Sequence, residues 1–146
     1  INYTFEDSFC DEVRFESDYS PPFVSTETLD FVRQGMRAAV TVGTAQSANL
    51  PYVQTAGKTG TAEYCDEIAR PLGLCRAGNW PSHAWYVGYS PYDSTPEILI
   101  LGFVYNGGEG SLVALPVVIE TMEAYYRIQN ERESAPAPST DLPASP

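Results

Sequence analysis

Lys58, Thr59, Gly60 and Thr61 stand together in the stretch AGKTGTAEY and hold the clearest chemistry of the chain. They bring a cation, two hydroxyls and a glycine into four consecutive positions. If the stretch is a strand, its period of two puts Thr59 and Thr61 on one side. Gly60 between them leaves room for another chain to approach the backbone. Such an edge suits a carboxylate, since hydroxyls donate to it and Lys58 adds positive potential. Lys58 is the only lysine, in a chain whose 19 acids outnumber its 8 bases for a net charge of −11. For a bare KTG triplet, a solvated strand edge is the plainer reading. A phosphate-binding P-loop is excluded: Gly57 directly precedes Lys58, but the earlier glycine of G-x-x-x-x-G-K-[ST] is missing.

The rest of the chain must position that edge. Its 146 residues, 43% hydrophobic and 18% charged, fit one packed domain and rule out wholesale disorder. The acidic balance leaves no basic footprint for nucleic acid and opposes adhesion to an anionic membrane surface. No apolar run approaches the ~20 residues of a membrane span. The opening INYTFEDSF does not read as a signal peptide, so any targeting segment is expected to be absent from this chain or never needed.

Residues 1–24 read as an acidic, aromatic excursion or hairpin, with Ile1, Tyr3 and Phe5 alternating before DSFCDE, and Val13 and Phe15 after it. Ser25 or Thr26 caps a helix expected to run to about Val42. Leu29, Val32, Met36, Ala39 and Val40 share one of its faces, and Gly43 ends it. Residues 53–63 read as an edge-like strand rich in threonine and glycine, followed by a loop over residues 64–81. HAWYVGYS (83–90) and EILILGFVYN (97–106) read as two further strands. The short PYDSTP between them makes the pair antiparallel. EILILGFVYN is apolar on both faces and is therefore expected to be central and covered on both sides. Gly107 to Gly110 turn into a C-terminal helix with Leu112, Leu115, Ile119, Met122 and Tyr126 on its core face. Pro116 either opens that helix or kinks it. The folded part is expected over residues 25–130. Residues 131–146 carry four prolines and read as a disordered tail. The expected fold class is α/β (α+β), an antiparallel sheet of at least three strands flanked by helices.

AGKTGTAEY, HAWYVGYSPYD, the apolar strand ending VYNGGEG and the helix beginning SLVALPVV follow one another in a fixed order. Together they resemble the C-terminal part of the transpeptidase domain of class B penicillin-binding proteins, and within these the elongation type. The resemblance covers residues 26–126. In such enzymes a serine attacks the D-Ala-D-Ala end of a peptidoglycan stem peptide, releases D-alanine and passes the acyl group to a neighbouring amine. By this resemblance Lys58 is the third-motif lysine that supports the nucleophile's hydrogen-bond network. Thr59 and Thr61 hold the carboxylate of substrate or β-lactam, and the Thr61 backbone N–H is an oxyanion-hole donor. Gly60 lets the substrate lie along the strand.

Two family motifs do not match. S-x-x-K is absent, because three residues before Lys58 stands Thr55. Ser47-Ala48-Asn49 has the letters of S-x-N, but it sits just before the third motif, where the family has a connector. It reads as chance. The resemblance therefore implies one part of a longer enzyme, inactive alone and needing no cofactor. Its partners are the remaining part of the transpeptidase domain and, once complete, a stem peptide or β-lactam. The whole would work at the extracytoplasmic face of the bacterial membrane, anchored by a segment absent here. The isolated chain is expected to self-associate through its uncovered strand. The alternative is a non-catalytic interaction module that kept the same sheet.

Cys65 and Cys75 close the loop as a disulfide if the parent enzyme works outside the cytoplasm. Free thiols come second. A metal site with His83 and Asp66 comes third, since C-x9-C-x7-H is not a standard ligand spacing. His83 reads as a structural or rim residue, and Trp85, Tyr86, Tyr89 and Tyr92 as packing rather than a groove lining. Gly107-Gly108-Glu109-Gly110 reads as a tight turn. The acids Glu6, Asp7, Asp11, Glu12, Glu16 and Asp18 lack a calcium-loop pattern and read as a solvated face.

Overall fold

Ser25 starts the helix that leads to the candidate strand: its side chain accepts the Thr28 N–H at 3.3 Å, and α1 spans Thr26–Thr41. The computed structural model describes residues 2–6, 9–13, 21 and 23–134. At the far end of α1, the N–H groups of Gly43 and Ala45 return to the carbonyls of Ala38 and Ala39 at 3.0 and 2.9 Å. Gly43 is required there, because a Cβ would sit 2.7 Å from the Ala39 Cα. The expected apolar face is only partly used. Val40 is buried, whereas Leu29 and Val32 are exposed.

A short 3-10 turn, Gln46–Ala48, links α1 to three antiparallel strands: β3 (Ala56–Glu63), β4 (Ser82–Ser90) and β5 (Ile98–Val104), in the order β3-β4-β5. The register pairs Thr59 with Tyr86 and Thr61 with Ala84, and then Tyr86 with Gly102 and Ala84 with Val104. Partners across a sheet share a face, so these residues all lie on the face that meets the final helix, α2 (Ala114–Ser134). Tyr86, Ala84, Leu115, Val118, Ile119 and Met122 form the centre of the core with Val40, Ala45, Ala48 and Leu50. A Cβ on Gly102 would fall 2.7 Å from a Val118 methyl, so the glycine allows α2 to seat closely on β5. α1 packs against β3 instead.

β5 departs from expectation. It is an outer strand, and β4 is the central one. Ile98, Ile100 and Val104 face the core and are half-buried, but Leu99, Leu101 and Phe103 on the other face are 66%, 57% and 46% exposed. Both faces are apolar, as read. The described chain covers one of them, because α2 lies on a single side. β3 begins at Ala56, later than the expected residue 53. α2 extends through Ser134, so residues 131–134 are helical where a tail was expected. Glu and Arg in that stretch are good helix formers and prolong the helix. Residues 135–146 lie outside the described residues. Pro116 sits in the first turn of α2, where its missing N–H breaks no helical bond. Near the N-terminus β1 (Asn2–Glu6) and β2 (Phe9–Val13) pair antiparallel, with Tyr3 opposite Glu12. Of the acidic cluster, Asp7, Glu16 and Asp18 lie outside the described residues.

Candidate functional site

Lys58, Thr59, Gly60 and Thr61 occupy the middle of β3, an outer strand with β4 on one side only. Among the described residues no strand pairs with its other edge, and such an edge can receive an added strand or peptide. Lys58 is exposed, and its Nζ donates to the Thr59 carbonyl. Thr59 and Thr61 share the α2 face of the sheet, while Lys58, paired with Val87, starts from the other face. The Thr59 hydroxyl lies 2.8 Å from the Thr44 hydroxyl. The Thr61 hydroxyl accepts the Gly110 N–H at 3.4 Å. Gly60 pairs with Trp85, and a Cβ on Gly60 would approach the Trp85 Cβ to 3.2 Å.

The strand is held from behind by residues chosen for fit. The Tyr86 ring is fully buried and fills the space where side chains at Gly57 and Gly88 would go. A Cβ on Gly57 would lie 2.2 Å from the Tyr86 hydroxyl. That hydroxyl finds no hydrogen-bond partner among the described residues, and burial pushes its pKa up to about 12. Arg37 ties α1 to the approach of β3, donating to the Thr55 carbonyl at 2.7 Å and to Asn49 Oδ1 at 3.3 Å. Asn49 of the S-x-N letters is thus engaged in holding this connector, and Ser47 and Ala48 belong to the 3-10 turn.

The loop after β3 is braced separately. Cys65 and Cys75 form a disulfide with Cα atoms 5.6 Å apart. The Asp66 carboxylate accepts the Ala69 and Ile68 N–H groups at 2.7 and 3.0 Å and the Tyr105 hydroxyl at 3.0 Å. These bonds, that from Ala69 foremost, hold the carboxyl below its ordinary pKa. Burial and the Asp66 charge raise the Tyr105 phenol. His83 is buried, stacks on Tyr105 at 4.7 Å between ring centroids, and accepts the Asn106 N–H through Nδ1 at 2.9 Å. Cys65, Cys75, Asp66 and His83 are therefore engaged with protein partners. Trp85 packs on Phe103 at 4.3 Å, and Arg33 and Arg37 lie over the Tyr92 ring.

Two cavities among the described residues are lined by other parts of the chain than Lys58–Thr61. One of about 520 Å³ runs between Tyr52 and the outer half of α2, and another of about 300 Å³ lies beside Trp80, Ser82 and Asn106. The candidate site is an open edge. Two residues that touch it had no local signal in the sequence. Thr44 is one polar residue in a turn fifteen positions before Thr59, and Gly110 is one glycine among several in its turn.

Residues 19–123 match the family model described as the penicillin-binding protein transpeptidase domain. The chain belongs to the penicillin-binding protein transpeptidase family. The match takes in α1, the whole three-stranded sheet and the first half of α2. This transpeptidase chain is 32% identical over 89 residues to the peptidoglycan D,D-transpeptidase PbpA of Mycolicibacterium smegmatis, covering 58% of this chain and 16% of that protein. It is 33% identical over 76 residues to the peptidoglycan D,D-transpeptidase MrdA of Haemophilus influenzae, covering 49% of this chain and 11% of that protein. Among solved structures, penicillin-binding protein A of M. tuberculosis, as an imipenem acyl-enzyme complex, superposes with a TM-score of 0.53 at 29% identity. That superposition covers 70% of this chain and 20% of the other. The transpeptidase chain thus spans a small part of the length of the relatives it matches. The M. tuberculosis structure shares its mixed helix and antiparallel-sheet architecture over the superposed part.

Proposed function

We propose that this chain supplies the third-motif strand of a peptidoglycan D,D-transpeptidase of elongation type, and that it forms the C-terminal part of that enzyme's transpeptidase domain. The observation that carries the reading is the placement of Lys58, Thr59, Gly60 and Thr61 on the free edge of β3, with both hydroxyls on one face. In this reading the stem peptide lies along β3. Thr59 and Thr61 donate to its terminal carboxylate, or to the carboxylate of a β-lactam. Lys58 turns from the Thr59 carbonyl toward the reacting serine and stabilises its hydrogen-bond network. The Thr61 N–H faces the oxyanion that develops as the serine attacks the carbonyl carbon. Collapse of that intermediate expels the terminal D-alanine and leaves the acyl-enzyme, which then passes its acyl group to an amine and frees the serine.

The serine comes from outside these residues. The sequence holds no S-x-x-K, and the site as described is an edge without an opposite wall. The exposed Leu99, Leu101 and Phe103 of β5, and Leu29 and Val32 of α1, are apolar surfaces for the rest of such a domain to cover. Among the described residues no helix is long and apolar enough to cross a membrane, so an anchor for work at the extracytoplasmic face would lie elsewhere.

Intact-mass spectrometry after incubation with a β-lactam tests this. The isolated chain is expected to remain unmodified, while peptide mapping of the whole gene product places the acyl group on a serine outside these 146 residues. A stoichiometric adduct on a serine of this chain would overturn the reading.

A further inference from the structure

Resting on that reading of β3, we propose that Thr44 is a positioning residue for carboxylate recognition, acting through Thr59. The two hydroxyl oxygens lie 2.8 Å apart, within hydrogen-bond reach. A hydroxyl has one proton to give and two lone pairs to receive with. An ionised carboxylate is an acceptor only, so a Thr59 hydroxyl that binds it must spend its single proton there. The Thr44–Thr59 bond then has one consistent direction: Thr44 donates and Thr59 accepts. A bond donated into Thr59 polarises its O–H and strengthens the bond it gives onward.

Thr61 stands in the same arrangement. Its oxygen accepts the Gly110 N–H at 3.4 Å, which leaves its proton free to point outward. The two hydroxyls thus share a face of β3, each supported by a donor from a different connector. Same-face neighbours on a strand lie about 6.5–7 Å apart, a span that one carboxylate and two O–H···O⁻ bonds of ~2.7 Å can bridge.

The backbone holds Thr44 in place for this. Its neighbours Gly43 and Ala45 both donate backbone bonds into the last turn of α1, and Ala45 is fully buried in the core. Gly43 cannot carry a side chain there without meeting the Ala39 backbone. The turn is therefore fixed on both sides of an exposed threonine whose hydroxyl reaches β3.

The test uses the complete enzyme that contains this chain. It measures second-order acylation rate constants for a penicillin with a free carboxylate and for its methyl ester, and takes their ratio. Thr44→Val is expected to lower the carboxylate-to-ester ratio by about tenfold, with the ester rate little changed, and Thr44→Ser is expected to restore the ratio. Thr59→Val is the control for the underlying reading and lowers the same ratio. If Thr44→Val leaves the ratio at the wild-type value while Thr59→Val lowers it, Thr44 has no positioning role and the β3 reading stands. If neither variant moves the ratio, both fall. An equal loss of both rates in Thr44→Val, unrescued by serine, marks a structural effect and also overturns the proposal.

Discussion

Gly110 lies over Gly60 so closely that a Cβ on Gly110 would sit 2.3 Å from the Gly60 carbonyl oxygen and 2.2 Å from that of Trp85. The turn before α2 thus rests directly on the β3–β4 pairing at the centre of the candidate site. Gly110 is buried, and its carbonyl accepts the Leu115 N–H at 2.9 Å. One residue therefore couples the start of α2 to the strand edge.

Gly110→Ala must displace either the turn or the strand, since both obstacles are backbone. A loss of about 1–3 kcal/mol is expected, as for other overpacked sites. Thermal unfolding measures it, and Gly108→Ala is the comparison. Gly108 has open space for a Cβ but a φ of +79°, so its cost is backbone strain alone. A Gly110→Ala variant as stable as wild type would mean that the turn does not rest on β3.

The Cys65–Cys75 bridge closes a loop of about ten residues. Such a cross-link stabilises by about 2–3 kcal/mol, mainly by restricting the unfolded chain. The double variant Cys65→Ser/Cys75→Ser is expected to unfold earlier by that amount in chemical denaturation. Peptide mapping without reductant should recover the two cysteines as one linked species.

Asp66 predicts a pH dependence for the same loop. Its folded pKa is depressed, so its three hydrogen bonds contribute stability above the unfolded carboxylate pKa of about 3.9. That contribution is lost as pH falls from there through the lower folded value. Wild type is expected to exceed Asp66→Asn in stability at pH 6, and the gap to shrink steadily below about pH 4. A gap that is constant down to pH 2 would contradict the assigned bonds.

How much of this was legible in the sequence follows from the range of the forces involved. The α1 cap at Ser25, its stop at Gly43 and the core residues Leu115, Ile119, Met122 and Tyr126 of α2 rest on local spacing and were readable. Leu112, however, precedes the helix and is 71% exposed rather than on its core face. The Lys58–Thr61 edge was readable as chemistry because its residue types are unusual in an acidic chain. The position of β5 was not readable. ILILGFV reports two apolar faces, but whether a strand is central depends on what covers those faces, and here α2 covers one. Thr44 was illegible for a related reason. Its partner lies across a tertiary contact, and a lone threonine in a turn carries no pattern.

The uncovered face of β5 predicts self-association of the isolated chain. Leu99, Leu101 and Phe103 lie exposed beside a strand edge that no described residue pairs, a template for pairing with a second copy. The net charge of −11 opposes this at low salt, and screening weakens the opposition as ionic strength rises. Sedimentation velocity is expected to show a larger average mass at 0.5 M salt than at 0.02 M. A monomer throughout would mean that the edge is covered from within.

The most direct test of the account is the acylation rate of the complete enzyme carrying Lys58→Ala. Lys58 is exposed, so its removal should leave the unfolding temperature within a degree or two of wild type. Its loss withdraws electrostatic support from the reacting serine, and a preorganised group in that role is worth about 10²–10³ in rate. The account predicts a fall in β-lactam acylation of at least about a hundredfold with stability preserved. An acylation rate equal to that of wild type would contradict it.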